Sequence, residues 1–329
     1  MRGENLNREE ALELLDSLLD GNATDAQIAA ILIALKRKGE TIEELAALAE
    51  GMRARAVRIS SDHRCFIDTA GTGSSSAKTF NISTAAAFVI AGAGLPVAKH
   101  GNRAASSRCG SADVLSALGV NVSVDASVSE ACLNDFGICF MFAPLYHGAT
   151  ARVAGVRREL GVHTTFNLLG PLTNPAGSPR QIIGVWDRAL IEPMARTLAL
   201  LGTERAWVVH GADGLDEITL AESTFVAEAS DGNVRTFEIK PEDFGLQRAR
   251  LDNLRGCEAE GNAAMIRDVL TGRRRDEARA LVIINAAAAL HVGGKARGLA
   301  EGVQLAGESI DNGRAVEKLE QLIQATRAI

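Results

Sequence analysis

Apolar positions recur at helical spacing in the first part of the chain, behind three capping signals. Each signal is an Asn or Thr followed three residues later by Glu or Gln, at Asn7–Glu10, Thr24–Gln27 and Thr41–Glu44. At that spacing the two side chains can satisfy backbone donors at the start of a helix. The pattern predicts three short helices and a small N-terminal helical domain over residues 1–64.

From Cys65 onward, short apolar runs alternate with polar loops and helical stretches. The apolar runs predict strands at Cys65–Asp68, Pro96–Ala98, Ile138–Phe142, Ile182–Trp186 and Ala206–Val209. Helices are predicted at 83–93, 110–118, 149–160, 188–201, 259–271 and 276–291, and an inserted hairpin at Thr224–Ala229 and Val234–Ile239. This alternation is typical of a mainly parallel sheet covered on both faces. We therefore predict a large α/β domain over residues 65–329, in which a helical segment near 149–180 packs with the N-terminal helices.

Composition narrows the class of protein. The formal net charge of −6 and a sequence pI near 5.6 argue against a dedicated nucleic-acid binder. The five cysteines form no CxxC pair, so neither a thiolate metal site nor a disulfide framework is predicted. Residues 1–10 are polar, and the most apolar run, Ala280–Val292, is too short to cross a bilayer. We expect a soluble, cytoplasmic protein.

Two polar loops follow two of the predicted strands. The first runs from Asp68 to Thr84, contains Gly71-Thr72-Gly73 and leads into a helix with hydroxyl and amide caps; the second begins at Lys99. Both would lie beyond the carboxyl ends of parallel strands, where backbone N–H groups and helix N-termini bind phosphate. A flexible turn explains the glycines of the first loop better if they are taken alone. The similar position and character of the two loops favour an anion site.

Two further segments carry candidate chemistry. Arg157 lies on a predicted helix and could clamp a carboxylate in bidentate fashion, although a surface helix with paired charges explains it equally well. Asp216 and Glu217 follow the strand Ala206–Val209. Adjacent carboxylates at a strand end are good ligands for Mg²⁺, which takes one or two of them and completes its shell with phosphates and water. A solvated acidic loop is the alternative.

The ordered motifs resemble the anthranilate phosphoribosyltransferases over essentially the whole chain. The motifs are GTG…TFNIST, KHGNRAxSSxxGSADxLxxLG, RRELGxxTxFNLLGPLTNP and VVHGxDGLDE. The resemblance implies the nucleoside-phosphorylase-like transferase fold, a homodimer and a reaction of tryptophan biosynthesis. In that reaction, anthranilate takes the phosphoribosyl group of phosphoribosyl pyrophosphate (PRPP), with Mg²⁺ as cofactor and two ions expected per subunit.

The resemblance also implies roles for individual residues. Anthranilate would contact Gly71, Asn102 and Arg157, and Mg²⁺ would be held by Ser83, Asp216 and Glu217. No side chain is expected to act as a catalytic acid or base. PRPP would be bound by residues of the two polar loops, namely Gly71, Ser74, Ser75, Thr79, Asn81, Ile82, Ser83, Thr84, Lys99, His100, Gly101, Asn102, Arg103, Ala104, Ala105, Ser106, Ser107 and Ser111.

The chain departs from the family pattern at two places. Ser74 and Ser75 stand where the family usually has Gly and Asp, close to the diphosphate and the metal, and Gly148 stands where a proline commonly follows the histidine. Two rival functions remain: a pyrimidine nucleoside phosphorylase, and a non-catalytic paralogue that binds nucleic acid. The Gly101-Asn102-Arg103 sequence after Lys99-His100 favours the transferase over the phosphorylase, and the acidic composition disfavours the paralogue.

Overall fold

A single mixed sheet organises the protein in the computed structural model, which describes residues 3–73, 79–104 and 109–327. Its strand order is β3-β2-β1-β4-β5-β6-β7, with β1 to β5 parallel and the last two antiparallel. The seven strands in the described residues are β1 (Ile67–Gly71), β2 (Val97–Gly101), β3 (Ile138–Phe142), β4 (Arg180–Gly184), β5 (Arg205–Gly211), β6 (Thr224–Ser230) and β7 (Asn233–Ile239).

Helices cover the sheet and form a separate lobe. The lobe begins with α1 (Arg8–Leu19), α2 (Asp25–Lys38) and α3 (Ile42–Arg55). The remaining helices of the described residues are α4 (Ile82–Gly92), α5 (Ser111–Leu118), α6 (Ala126–Phe136), α7 (Ala143–Tyr146), α8 (Ala151–Leu160), α9 (Thr165–Leu172), α10 (Ile191–Leu200), α11 (Ala259–Leu270), α12 (Glu277–Val292), α13 (Leu299–Asp311) and α14 (Arg314–Arg327). None of the helices in this described part is long and apolar enough to cross a membrane.

The N-terminal helices begin at the predicted caps. In α1, Asn7 Oδ1 accepts from the Glu10 backbone N–H at 3.0 Å while Glu10 Oε2 accepts from the Asn7 N–H at 2.9 Å, and α2 and α3 repeat the arrangement. Apolar side chains of α8 and α9 share one core with those of α1 to α3. The same core extends onto β4, β5 and β6 through α10. The predicted fold class, a helical domain beside an α/β domain with a mostly parallel sheet, is confirmed.

The strand boundaries differ from the predicted ones at their carboxyl ends. β1 continues to Gly71 and β2 to Gly101, three residues beyond each predicted end, whereas β4 ends two residues early at Gly184. The apolar runs mark only the buried part of each strand, but backbone pairing continues through small and polar residues. Thr69, for example, pairs with Ile182. The prediction also lacks α6, α7, α13 and α14, and it includes α9 only within the helical segment near 149–180; α9 contains Pro171, a residue that usually ends a helix.

The predicted hairpin forms the edge of the sheet. β6 pairs with β5 and β7 pairs with β6, both antiparallel. Asp231 and Gly232 form the two-residue turn with positive φ angles of 50° and 76°, as a tight hairpin of this kind requires. Between the parallel neighbours β1 and β4, the chain order of the strands reverses: successive strands are added on one side of β1 up to β3 and on its other side from β4 onward. Ligands of open α/β sheets bind in the crevice at such a switch point.

Candidate active site

The loop after β1 is anchored to the end of β4 at the switch point. Thr72 N donates to Gly184 O at 2.9 Å, and the Thr72 hydroxyl accepts from Trp186 N at 3.2 Å. A Cβ at Gly71 would lie 3.8 Å from Asp216 Oδ2, so the loop after β1 faces the loop after β5. The predicted PRPP ligands Ser74 and Ser75 lie outside the described residues.

The helix after this loop begins at Ile82 without the predicted side-chain caps. The Asn81 side chain makes no capping hydrogen bond. Its Nδ2 donates to Cys109 O and its Oδ1 accepts from Asn262 Nδ2, both at 3.1 Å. Asn81 therefore joins three segments rather than closing its own helix. With the cap absent, Ser83 N is available and donates to Glu217 Oε1 at 3.2 Å.

Lys99 occupies the centre of the predicted PRPP site. Its side chain is 4% exposed, and Nζ contacts Thr69 O and lies 3.5 Å from the Ser83 hydroxyl. Burial lowers the pKa of Lys99, while attraction to Asp68 and Glu217 opposes that shift. A buried ammonium whose hydrogen-bond partners are neutral oxygens of Thr69 and Ser83 is well suited to bind an anionic ligand.

His100 stays neutral beside Lys99. Burial and the nearby His147 lower the pKa of His100 to about 3. The two imidazole rings lie 5.2 Å apart, and among the described residues His100 Nε2 has no hydrogen-bond partner. His100 can therefore offer a neutral donor or acceptor, but not a charge, at neutral pH.

The loop after β2 folds back onto the start of α5. Asn102 O accepts from Ala112 N at 3.2 Å and from the Ser111 hydroxyl at 3.3 Å. Asp113 accepts from Ala104 N and from Arg103 Nη1, both at 2.9 Å. A Cβ at position 101 would come within 2.1 Å of Ser111 Oγ, so this position requires glycine. The predicted ligands Ala105, Ser106 and Ser107 lie outside the described residues.

The carboxylate pair is held against β4 and α12. A Cβ at Gly184 would lie 1.6 Å from Asp216 O, so only glycine allows the loop after β5 to approach so closely. Asn285 fixes the residue after Glu217, because Ile218 N donates to Asn285 Oδ1 and Asn285 Nδ2 donates to Ile218 O, both at 2.9 Å. Sequence analysis gave Asn285 no role, although a lone amide within an apolar run was a usable signal.

The electrostatics of this pair fit a divalent cation. Burial raises the pKa of Glu217, and repulsion by Asp216 raises it further. Two carboxylates that repel each other beside a phosphate-type loop are stabilised by a hard cation with oxygen ligands. Ser83, the third predicted ligand, is within reach because its own N–H contacts Glu217.

Arg157 lies in the helical lobe. Its Nη2 donates to Asn167 Oδ1 at 3.3 Å, and its guanidinium lies 5.5 Å from the centre of the Phe166 ring. Burial lowers the pKa of Arg157. The structure thus brings together Gly71, Ser83, Lys99, Asp216 and Glu217, whereas the contacts of Arg157 are with α9.

Comparisons with known proteins decide the family. Residues 63–316 match the α/β domain of the glycosyl transferase family and residues 1–56 match its helical bundle domain. The chain is 52% identical to the anthranilate phosphoribosyltransferase of Desulfosudis oleivorans over 325 residues, which cover 99% of this chain and 96% of the relative. The chain belongs to the anthranilate phosphoribosyltransferase family. This family membership confirms the predicted enzyme class, a pentosyltransferase, and goes against both rival functions.

Solved structures of anthranilate phosphoribosyltransferases share the fold over the whole chain. The enzyme of Thermus thermophilus is 42% identical with a TM-score of 0.93, covering 99% of this chain and 97% of that one. The Saccharomyces cerevisiae enzyme in complex with PRPP and Mg is 28% identical with a TM-score of 0.88, covering 98% and 93%.

Proposed function

We propose that this protein transfers the phosphoribosyl group of PRPP to anthranilate, which gives N-(5-phosphoribosyl)anthranilate and pyrophosphate for tryptophan biosynthesis. The observation that carries the proposal is the convergence of strand β2, the start of α4 and the loop after β5 around Lys99. Ser83 N and Oγ, Lys99 Nζ and Glu217 meet there within hydrogen-bond distance or close to it. The family membership and the yeast relative with bound PRPP support the same reaction.

In this proposal, the backbone N–H groups at the start of α4 and the Lys99 ammonium bind the phosphates of PRPP. Residues 99–104 and Ser111 complete that side of the site, and Gly71 leaves room for the ligands. These donors are fixed before the reaction begins, so they stabilise the leaving pyrophosphate without reorganising. The arylamine of anthranilate is a neutral nucleophile at pH 7, so positioning it against the anomeric carbon supplies the other large contribution.

We propose that Asp216, Glu217 and Ser83 hold Mg²⁺, with two ions per subunit. Bound magnesium would stabilise the negative charge that develops on the pyrophosphate. The protein's own contribution is to keep two repelling carboxylates together: Gly184 admits the Asp216 backbone, and Asn285 fixes the chain directly after Glu217. We also propose a homodimer in the cytoplasm, as the family resemblance implies.

The proposed reaction is tested by following the fluorescence of anthranilate with and without PRPP and Mg²⁺. We expect the signal of anthranilate to be consumed only when both are present. Phosphorolysis of thymidine or uridine serves as the contrasting assay. Turnover of either nucleoside without consumption of anthranilate would contradict the proposal.

The anthranilate side of the site is tested by Arg157→Ala. We expect the KM for anthranilate to rise by about tenfold or more while the KM for PRPP changes little, because the carboxylate loses a charge-assisted hydrogen bond of roughly 1.5–3 kcal/mol. Arg158→Ala is the matched control, since Arg158 is exposed on the same helix. Equal changes in both KM values would assign Arg157 to the phosphate side or to structure.

A further inference from the structure

Asp68 is a fully buried carboxylate that lies beneath the site without touching it. It has no exposed surface and belongs to β1, next to Thr69. Its Oδ1 accepts from His100 N at 3.2 Å, and its Oδ2 accepts from Asn174 Nδ2 at 2.7 Å. One side chain thus holds the backbone of the neighbouring strand β2 at the residue that follows Lys99.

Asn174 strengthens the same connection from a third segment. Besides its bond to Asp68, its Nδ2 donates to Ala98 O at 2.8 Å, and its Oδ1 accepts from Ala176 N at 2.9 Å. Asn174 is itself buried, with 4% of its surface exposed. Ala98 and His100 flank Lys99, so the Asp68–Asn174 pair fixes the backbone on both sides of that lysine.

Asp68 also supplies charge. Asp68 and Glu217 are the two carboxylates that attract the Lys99 ammonium. The proposed function engages Glu217 with Mg²⁺, and a cation bound there repels Lys99. Asp68, which has no role as a metal ligand in the proposal, then remains as the other carboxylate that attracts the buried ammonium.

We propose that Asp68, held by Asn174, is the positioning residue that directs Lys99 at the pyrophosphate of the substrate. The inference rests on the proposed function, which assigns Lys99 to PRPP. It adds a pair of residues that reaches the substrate only through Lys99 and the backbones of Ala98 and His100.

The test compares Asp68→Asn with Glu228→Gln. Both replace a buried carboxylate of the same sheet by its amide, but Glu228 contacts Arg205, Arg235 and Trp207 instead of the site. Calorimetry gives the Kd for PRPP in the presence of Mg²⁺, the fluorescence assay gives the KM for anthranilate, and thermal unfolding shows whether each variant is folded.

We expect Asp68→Asn to raise the Kd for PRPP by about tenfold or more, with less than about a twofold change in the KM for anthranilate. Glu228→Gln should change neither. Asn174→Ala should act in the same direction by about threefold, and the double variant should fall short of the product of the two effects, because the two side chains share one hydrogen bond.

Several outcomes would overturn the inference. A Kd within about twofold of wild type, equal effects on both substrates, or additive effects of the two substitutions would each assign Asp68 a merely structural role. If Asp68→Asn does not fold, Asn174→Ala provides the test instead: the Kd for PRPP should rise while the KM for anthranilate changes little. Wild type that binds PRPP but does not consume anthranilate refutes the proposed function alone, and the PRPP measurements still decide the role of Asp68. Wild type that binds no PRPP overturns both.

Discussion

Asp68 on β1 and Glu228 on β6 are buried carboxylates of the same sheet, yet their surroundings differ. Along the strand direction their positions differ by one residue. Asp68 is level with Ala206, and Glu228 pairs with the next residue, Trp207. Glu228 accepts from Arg205 at 2.8 Å, from Arg235 at 2.6 Å and from Trp207 Nε1 at 2.9 Å. Burial raises the pKa of Glu228, but these hydrogen bonds outweigh burial and the net pKa is lowered. Burial instead raises the pKa of Asp68 to about 6, despite Lys99 and Asn174.

The difference contrasts a carboxylate within a structural ion-pair network with the carboxylates around Lys99 in the proposed site. Where β5 pairs with β6, Glu228 meets two arginines and the Trp207 N–H, so its charge is compensated within the protein. Around Lys99, the carboxylates of Asp68 and Glu217 are only partly compensated, and burial dominates the pKa of each. Perturbed ionisation of this kind costs stability and clusters at sites of function. Substitution of Glu228 should therefore change stability, whereas substitution of the carboxylates around Lys99 should change activity.

The largest expected effect is on turnover, from Asp216→Asn combined with Glu217→Gln. We expect kcat/KM to fall by about a thousandfold or more, since the metal contributes several kcal/mol to transition-state stabilisation. Calorimetry should show that Mg²⁺ no longer tightens PRPP binding. The free energy of unfolding should stay equal or rise, because the variant removes two carboxylates that repel each other. Near-normal activity at moderate Mg²⁺ would show that this pair only faces solvent.

The next largest effect is on stability, from Glu228→Gln. An amide leaves Arg205 and Arg235 without a counter-charge, so the free energy of unfolding should fall by about 2–3 kcal/mol. The expected loss of stability is smaller than for a fully buried ion pair because the side chain of Arg235 is 72% exposed. Urea denaturation measures the loss, and kcat/KM per folded molecule should stay within about twofold of wild type. A selective rise in the KM of either substrate would break the separation between structural and functional charge.

Much of this arrangement could be predicted from the sequence because its signals are local. Capping boxes such as Asn7–Glu10 and the alternation of strands and helices depend on neighbouring residues, and they formed as predicted. Motif order identified the family. The parallel order of the strands then brings Lys99 and Glu217 together, since Lys99 lies two residues before the carboxyl end of β2 and Glu217 lies beyond that of β5, near one switch point.

The supporting residues could not be predicted in the same way, because their partners are distant in the chain. Asp68 and Asn174 are separated by 106 positions, and Asn285 and Ile218 by 67. No periodicity connects such residues; only the folded backbone shows which amide meets which carboxylate. The side chain of Asn81 illustrates the limit, since its position suggested a helix cap and its contacts join two other segments instead.

A smaller effect is expected from Asn285→Ala. This variant tests whether metal binding by Asp216 and Glu217 depends on the hydrogen bonds that hold the next residue, Ile218. The substitution leaves Ile218 N and O without their side-chain partners and frees the chain beside Glu217. We expect the Mg²⁺ concentration for half-maximal rate to rise by about three- to tenfold, equivalent to roughly 1 kcal/mol. Initial rates measured against Mg²⁺ give this value.

Ser309→Ala is the matched control for Asn285→Ala. Ser309 is fully buried on α13, and its hydroxyl donates to Val89 O at 2.8 Å, so the substitution also removes a buried hydrogen bond. It should lower stability and leave the Mg²⁺ dependence unchanged. The same Mg²⁺ shift in both variants would mean that general loosening of the fold, and not the position of Glu217, determines metal affinity.

The smallest expected effect concerns the pH dependence of stability and extends the comparison from buried acids to a buried base. His147 is 6% exposed, and its Nε2 lies 3.0 Å from Thr173 O. Burial lowers its pKa.

Below about pH 6.5 the unfolded chain binds a proton at His147 more readily than the folded protein does, so stability falls as the pH falls. Between pH 6.5 and 5.5, one such histidine should cost at most about 1 kcal/mol. We expect His147→Asn, which cannot titrate there, to lose less stability than wild type over this interval in urea denaturation. His100 remains in both proteins and its pKa is lowered partly by His147, so the difference between the two curves reports on His147 together with its effect on His100. Parallel curves would mean that His147 binds its proton in the folded state as readily as in the unfolded one.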